Sequence, residues 1–153
     1  MGLINIHTDG SYKQKVNPNV SGWAFCIEDW NEDQAVYYWE SGLIQNPKSR
    51  QIDGEVKAVL MAIEWAFKHN VSEINIYHDY VGIGKWANGE WKTRKEVSSN
   101  YFFKVQEARR NGLTINYFWE RGHNGNYFNV VADALATSSV DNNILFSNGN
   151  EAF

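Results

Sequence analysis

Hydrophobic and polar residues alternate with a period of two in several short segments of this chain. Residues 3–9 and 73–79 alternate in this way, and each of these segments ends on an aspartate. Similar short apolar runs, flanked by turn residues, cover residues 22–27, 35–44 and 113–119. Because successive side chains of a strand point to opposite faces, we predict five β-strands from these segments.

Other segments place their apolar residues at helical spacing. The clearest pattern covers residues 55–69, and shorter ones predict helices over residues 81–87, 97–110 and 128–138. Strands that alternate with helices require right-handed crossovers. The predicted fold class is therefore α/β: a mixed five-stranded sheet, with three antiparallel strands followed by two parallel strands, and helices on both faces.

Length and composition favour one compact domain. The chain has 153 residues, of which 43% are hydrophobic and 21% charged, as in globular proteins rather than disordered or membrane proteins. We assign residues 1–140 to this domain and residues 141–153, rich in Asn, Ser and Gly, to a flexible polar tail. The first residues show no signal peptide. With the single cysteine Cys26, this favours a reducing compartment, and we expect a cytoplasmic monomer that does not associate with membranes.

The net charge of −4 is unfavourable for binding a polyanion. Affinity for nucleic acid depends largely on Lys and Arg side chains that neutralise phosphates. A nucleic-acid partner is therefore compatible with this chain only if several acids gather in one site and the basic residues lie together elsewhere.

Four acids lie at the ends or starts of predicted elements or in the last helix. Asp9 and Asp79 each end a strand, Glu55 opens the first long helix, and Asp133 lies in the last helix. Sites in open α/β sheets lie beyond the carboxyl ends of the strands, so Asp9 and Asp79 would meet if their strands are parallel neighbours. Clustered carboxylates repel one another unless divalent cations neutralise them, and an all-oxygen ligand set favours Mg²⁺ or Mn²⁺.

Five motifs, in their order along the chain, resemble those of type 1 ribonuclease H. They are TDGSY at 8–12, GWA at 22–24, GEVKA at 54–58, IYHD at 76–79, and GHNGN at 122–126 followed by ADALA at 132–136. The segment 79–92 also resembles the branch of this family that is often fused to a viroplasmin-like hybrid-binding module.

The resemblance implies an endonuclease that hydrolyses the RNA strand of RNA–DNA hybrids by a two-metal-ion mechanism, leaving 5′-phosphate and 3′-hydroxyl ends. It implies that Asp9, Glu55, Asp79 and Asp133 are metal-binding carboxylates. His123 would assist product release or proton transfer. The expected cofactor is Mg²⁺, with two ions bound in the presence of substrate, and Mn²⁺ is an alternative.

The family pattern also suggests substrate contacts. Gly10, Ser11 and Gln51, together with Glu55, would read the 2′-hydroxyl of the cleaved strand, and Asn129 matches a substrate-contacting position. The basic protrusion of some relatives is short here. Its expected substitute is a set of basic residues with one tryptophan: Lys92, Arg94, Lys95 and Trp91.

Two departures from the family pattern concern the same site. Gln51 stands where many members carry Asn, and Tyr80 follows Asp79 where many carry Ser. Because a Gln amide still donates and accepts hydrogen bonds, we expect altered geometry at this position and not a loss of activity.

Two other functions fit the same fold. The first is a different nuclease, of the exonuclease or resolvase type, although proofreading exonucleases carry Asp-x-Glu on the first strand and this chain has Asp9-Gly-Ser11. The second is a catalytically silent nucleic-acid-binding module, which the presence of all four acids disfavours. Any one of these acids alone would be interpreted as a solvated surface charge.

Overall fold

The computed structural model of the protein describes residues 2–121 and 126–150. Its elements, in chain order, are β1 (Leu3–Ser11), β2 (Val20–Glu28), β3 (Val36–Gln45), α1 (Gln51–Lys68), β4 (Glu73–His78), α2 (Gly82–Ala87), α3 (Glu96–Arg110), β5 (Thr114–Trp119), α4 (Tyr127–Asn142) and β6 (Phe146–Gly149). Within these residues one sheet has the strand order β5-β4-β1-β2-β3-β6. β1, β2 and β3 pair antiparallel, whereas β1, β4 and β5 run parallel, which confirms the predicted mixed topology.

The predicted strand number was wrong by one. β6 arises from the segment assigned to the polar tail, and it pairs antiparallel with β3 through Ser41–Ser147 and Gly42–Phe146. Its sequence Phe-Ser-Asn-Gly has no hydrophobic alternation that would indicate a strand. Backbone hydrogen bonds to the free edge of β3 form this strand, and such bonds need no particular side chains.

Helices cover both faces of the sheet, as predicted. α1, α2 and α3 enclose the larger core with one face of the central strands, including Ile4 and Ile6 of β1. α4 covers the other face, where Phe128 and neighbouring helix residues pack on Ala24 and Cys26 of β2. None of the helices in the described ranges is long and apolar enough to cross a membrane.

Three glycines allow the helices to approach the sheet with backbone against backbone. A Cβ atom on Gly54 of α1 would overlap the carbonyl oxygen of Gly22 in β2, and one on Gly22 would overlap the carbonyl oxygen of Ala136 in α4. A Cβ on Gly10 of β1 would lie 2.5 Å from the backbone nitrogen of Glu55. The first turn of α1 therefore rests directly on β1 and β2, which fixes Glu55 beside the end of β1.

We expect Gly54→Ala to destabilise the protein by about 2 kcal/mol or more, because the added methyl group overpacks a backbone contact that has no flexible side chain to give way. Chemical denaturation would measure the loss. Gly2→Ala is the matched control, since nothing lies within 4 Å of a Cβ at that position. Equal stability of the two variants would contradict the close approach.

Candidate active site

Three of the four predicted acids meet at one edge of the sheet. Thr8 of β1 pairs with His78 of the parallel strand β4, so the aspartates that follow them, Asp9 and Asp79, lie side by side. Glu55 reaches the same point from the first turns of α1. One carboxylate oxygen from each of the three acids lies within 4.8 Å of the others.

Burial raises the pKa values of two of these acids. Asp9 and Glu55 are only 5% and 3% exposed. Burial, with smaller contributions from the charges of nearby Asp133 and Asp79, raises the pKa of Asp9 to about 7. A hydrogen bond with the Glu55 carboxyl and one donated by the Gly10 amide oppose this shift. The pKa of Glu55 is raised well above its ordinary value, first by burial and then by the charge of Asp9. Without a cation, the cluster therefore holds protons close to neutral pH.

The donor set fits a divalent cation. Every group offered by the cluster is a carboxylate oxygen, which suits hard ions such as Mg²⁺ and Mn²⁺. In addition, Oε2 of Glu55 is buried without a hydrogen-bond partner among the described residues. An unpaired buried carboxylate oxygen is costly, and a cation beside it would remove that cost.

Asp133, the fourth predicted acid, lies close to this group of three. Asp133 lies on α4 and is near enough for its charge to raise the pKa of Asp9, but it is not part of the three-carboxylate group. His123 lies outside the described residues.

Of the residues predicted to contact the 2′-hydroxyl, Gly10 and Gln51 lie next to Glu55, whereas the Ser11 side chain is directed towards α4. Gln51 is exposed at the start of α1, and its backbone oxygen lies 2.6 Å from the position of a Cβ on Gly10. Gly10 and Gln51 are therefore adjacent to Glu55. The Ser11 hydroxyl is buried and lies 3.3 Å from the Thr137 hydroxyl of α4, which turns it towards that helix. Asn129 of α4 is buried as well.

The predicted basic residues line a groove beside the acidic cluster. Lys92, Arg94 and Lys95 border a cavity of about 280 Å³ together with Tyr80 and Ile52. Tyr80 directly follows Asp79, and Ile52 lies in the first turn of α1, so this groove adjoins the acids. We refer to it as the basic groove.

The fourth predicted member of this group, Trp91, belongs to an aromatic cluster at the basic groove. It is 40% exposed, and its ring lies edge-on to Tyr80 at 6.4 Å and to Trp86 at 6.2 Å. Tyr80, the departure from the family pattern, therefore has a packing role at the end of β4.

Sequence reasoning missed three residues next to this site. His7 is buried two residues before Asp9, and its Nε2 lies 2.8 Å from a carboxylate oxygen of Glu28. Trp119 and Arg121 lie at and after the end of β5, beside Asp79. The only sequence signal for Arg121 was a basic residue immediately before the Gly/Asn-rich motif at 122–126.

Comparison with protein families gives one match that covers most of the chain, to the RNase H family over residues 2–141. Two similar curated proteins are the ribonucleases H of Ruthia magnifica and Cupriavidus metallidurans. The first is 30% identical over 92% of this chain and 97% of its own length, and the second is 31% identical over the same shares.

Solved structures give the same fold. RNase H1 of the halophilic archaeon Halobacterium salinarum superimposes with a TM-score of 0.77 at 18% identity, covering 92% of this chain and 99% of that one. LC11-RNase H1, solved in complex with an RNA/DNA hybrid, has a TM-score of 0.76 at 19% identity over 92% and 98% of the two chains. The family match and the curated relatives together confirm the resemblance found in the sequence: this chain belongs to the type 1 ribonuclease H family of hydrolases.

Proposed function

We propose that this protein is an endonuclease that hydrolyses the RNA strand of RNA–DNA hybrids in a metal-dependent reaction, leaving 5′-phosphate and 3′-hydroxyl ends. The observation that carries the proposal is the group of Asp9, Glu55 and Asp79, two of them buried, in which one carboxylate oxygen of each lies within 4.8 Å of the others. The curated relatives named ribonuclease H, which match almost end to end, support the same chemistry.

Asp9, Glu55 and Asp79, with Asp133 as a fourth ligand, would hold two Mg²⁺ ions, or Mn²⁺, when substrate is bound. When bound, these ions supply the Lewis acidity that makes water a nucleophile at neutral pH and stabilises charge on the scissile phosphate. The protein's own contribution is to hold the four carboxylates on β1, directly after β4, on α1 and on α4. His123 is proposed to assist product release or proton transfer.

Selectivity for RNA requires a contact to the 2′-hydroxyl, which DNA lacks. We assign this contact to the Gly10 backbone, the Gln51 amide and Glu55, supported by the contact between α1 and β1 at Gly10. Ser11 and Asn129 are proposed as further substrate contacts. Both residues are buried, and the contact of the Ser11 hydroxyl with Thr137 of α4 would keep Ser11 in position.

The basic groove is proposed to bind the phosphates of the hybrid through Lys92, Arg94 and Lys95, with Trp91 as a neighbouring aromatic contact. The lone buried Cys26 is compatible with action in the reducing cytoplasm, and we propose that the protein acts there as a monomer.

Asp9→Asn and Asp79→Asn should each reduce hybrid cleavage by roughly a thousandfold or more, because several kcal/mol of charge stabilisation in the transition state depend on these ligands. The assay incubates the protein and Mg²⁺ or Mn²⁺ with end-labelled hybrid, double-stranded RNA, double-stranded DNA and single strands. Only the RNA of the hybrid should be cut internally. Asp33→Asn, which changes an exposed loop acid, is the matched control and should retain full activity.

Other outcomes of this assay would favour the alternative functions. Cleavage of double-stranded DNA, or removal of nucleotides from an end only, would indicate an exonuclease or resolvase. Hybrid binding without cleavage in either metal would indicate a catalytically silent binding module.

Lys92→Ala and Arg94→Ala should each weaken hybrid binding about three- to tenfold at physiological salt and reduce the salt dependence of log Kd by about one unit, because each change removes one phosphate contact. Binding titrations at several salt concentrations would measure both effects. Arg110→Ala is the control. Arg110 is exposed and ends α3 near the start of β5, so it lies at the opposite end of the strands from the acids. A salt slope unchanged from that of the control would exclude the basic groove as the binding surface.

Without metal, the stability of the protein should fall as pH rises. The carboxyl of Asp9 ionises near its ordinary pKa of 3.8 in the unfolded chain but only at about 7 in the folded protein, so the folded state binds the extra proton between these values. One pKa unit corresponds to about 1.4 kcal/mol, so about 4 kcal/mol should be lost between about pH 4 and about pH 8.

Thermal unfolding in the presence of a chelator would measure this loss. Asp9→Asn should be more stable than the wild type near pH 8 and similar to it near pH 4, while Asp33→Asn should follow the wild type throughout. Added Mg²⁺ or Mn²⁺ should raise the wild-type unfolding temperature near pH 8 and raise that of Asp9→Asn much less. A wild type that is equally stable at both pH values would contradict the buried, protonated cluster.

A further inference from the structure

The end of β5 presents an indole ring and a guanidinium group beside the acidic cluster. Nε1 of Trp119 donates a hydrogen bond to the backbone carbonyl of Asp79 at 2.8 Å, and the residue remains 47% exposed. The guanidinium carbon of Arg121 lies 5.2 Å from the centre of the indole ring. An exposed aromatic ring and a cation therefore lie side by side next to Asp79, a proposed metal ligand.

The residue between them anchors this segment to the protein. The Glu120 amide donates a hydrogen bond to the carbonyl of His78 at 2.8 Å. One carboxylate oxygen of Glu120 lies 3.5 Å from Nδ1 of the buried His7, which is an electrostatic contact and not a hydrogen bond, and the other accepts a hydrogen bond from the Asn126 amide at 3.4 Å. Because alternate side chains of an extended segment point in opposite directions, the inward Glu120 directs its two neighbours outward.

The strand register gives the distance of this pair from the acids. Trp119 pairs with His78 of β4, which in turn pairs with Thr8 of β1. Adjacent strands lie about 4.8 Å apart, so the backbone of Trp119 is one strand from Asp79 and about 10 Å from Asp9. A nucleic-acid strand that reaches the acids would pass this position within a few nucleotides, since its rise is about 3.4 Å per nucleotide.

We propose that Trp119 and Arg121 hold the RNA strand of the hybrid beside the bond that is cut. This inference rests on the proposed function. The guanidinium binds a phosphate and the indole face packs on the adjacent sugar or base. A planar guanidinium suits a phosphate group, and exposed aromatic rings stack on nucleotides of any sequence.

Charge supports this assignment. None of the ion pairs formed among the described residues involves Arg121. Its charge also offsets the repulsion that the acidic cluster exerts on a polyanion.

The test measures hybrid binding in the inactive Asp9→Asn background, at several salt concentrations. Arg121→Ala should raise Kd about three- to tenfold and reduce the salt dependence of log Kd by about one unit. Arg121→Lys should keep the salt dependence and lose part of the affinity, because lysine lacks the planar fork. Arg110→Ala removes one positive charge at the opposite end of the strands and should change neither Kd nor its salt dependence.

Two further variants test the ring. Trp119→Phe keeps an aromatic face and should bind nearly as the parent does, whereas Trp119→Leu should weaken binding about threefold or more.

In the otherwise native enzyme, Arg121→Ala should raise KM and leave kcat nearly unchanged.

The outcomes separate the two proposals. If the native protein cuts the hybrid but Arg121→Ala binds like Arg110→Ala, the contact proposed here is overturned while the function stands. If the native protein neither binds nor cuts the hybrid, the proposed function fails and this contact fails with it.

Discussion

The placement of several carboxylates in one buried position is the constraint on which the rest of the structure depends. Asp9 and Glu55 are removed from water and lie against Asp79, so that burial and mutual repulsion raise the pKa values of the two buried acids. Either protons or divalent cations must relieve this repulsion. The arrangement therefore costs stability in the bare protein, and that cost is also the driving force for binding a metal ion.

The fold meets this constraint through backbone contacts. Two parallel strands deliver Asp9 and Asp79 to the same edge of the sheet. Glu55 can reach them only because α1 touches the sheet directly, which the absence of side chains at Gly10, Gly22 and Gly54 permits. A position held by packed backbone varies little, and this rigidity is what a metal site requires of its ligands.

Acidic and basic side chains are grouped separately on this protein, and the net charge does not show this grouping. The total of −4 is unfavourable for nucleic-acid binding, yet three of the acids form the cluster and bound cations would neutralise them. Basic side chains line the groove next to the acids, and Arg121 stacks on Trp119 at the end of β5. Affinity for a polyanion depends on these local fields and not on the sum.

The sequence by itself determined the mixed α/β topology, five of the strands, the helices, and the acids at the carboxyl ends of β1 and β4. These features follow from hydrophobic periodicity and local turn signals, which lie within short stretches of chain. Only the tertiary structure decided the pairing of β6 with β3, the burial of His7 between Glu28 and Glu120, and the position of Trp119 and Arg121 beside Asp79. Each of these depends on groups from segments far apart in the chain, whose approach is set by packing and backbone hydrogen bonds that leave no periodic pattern in the sequence.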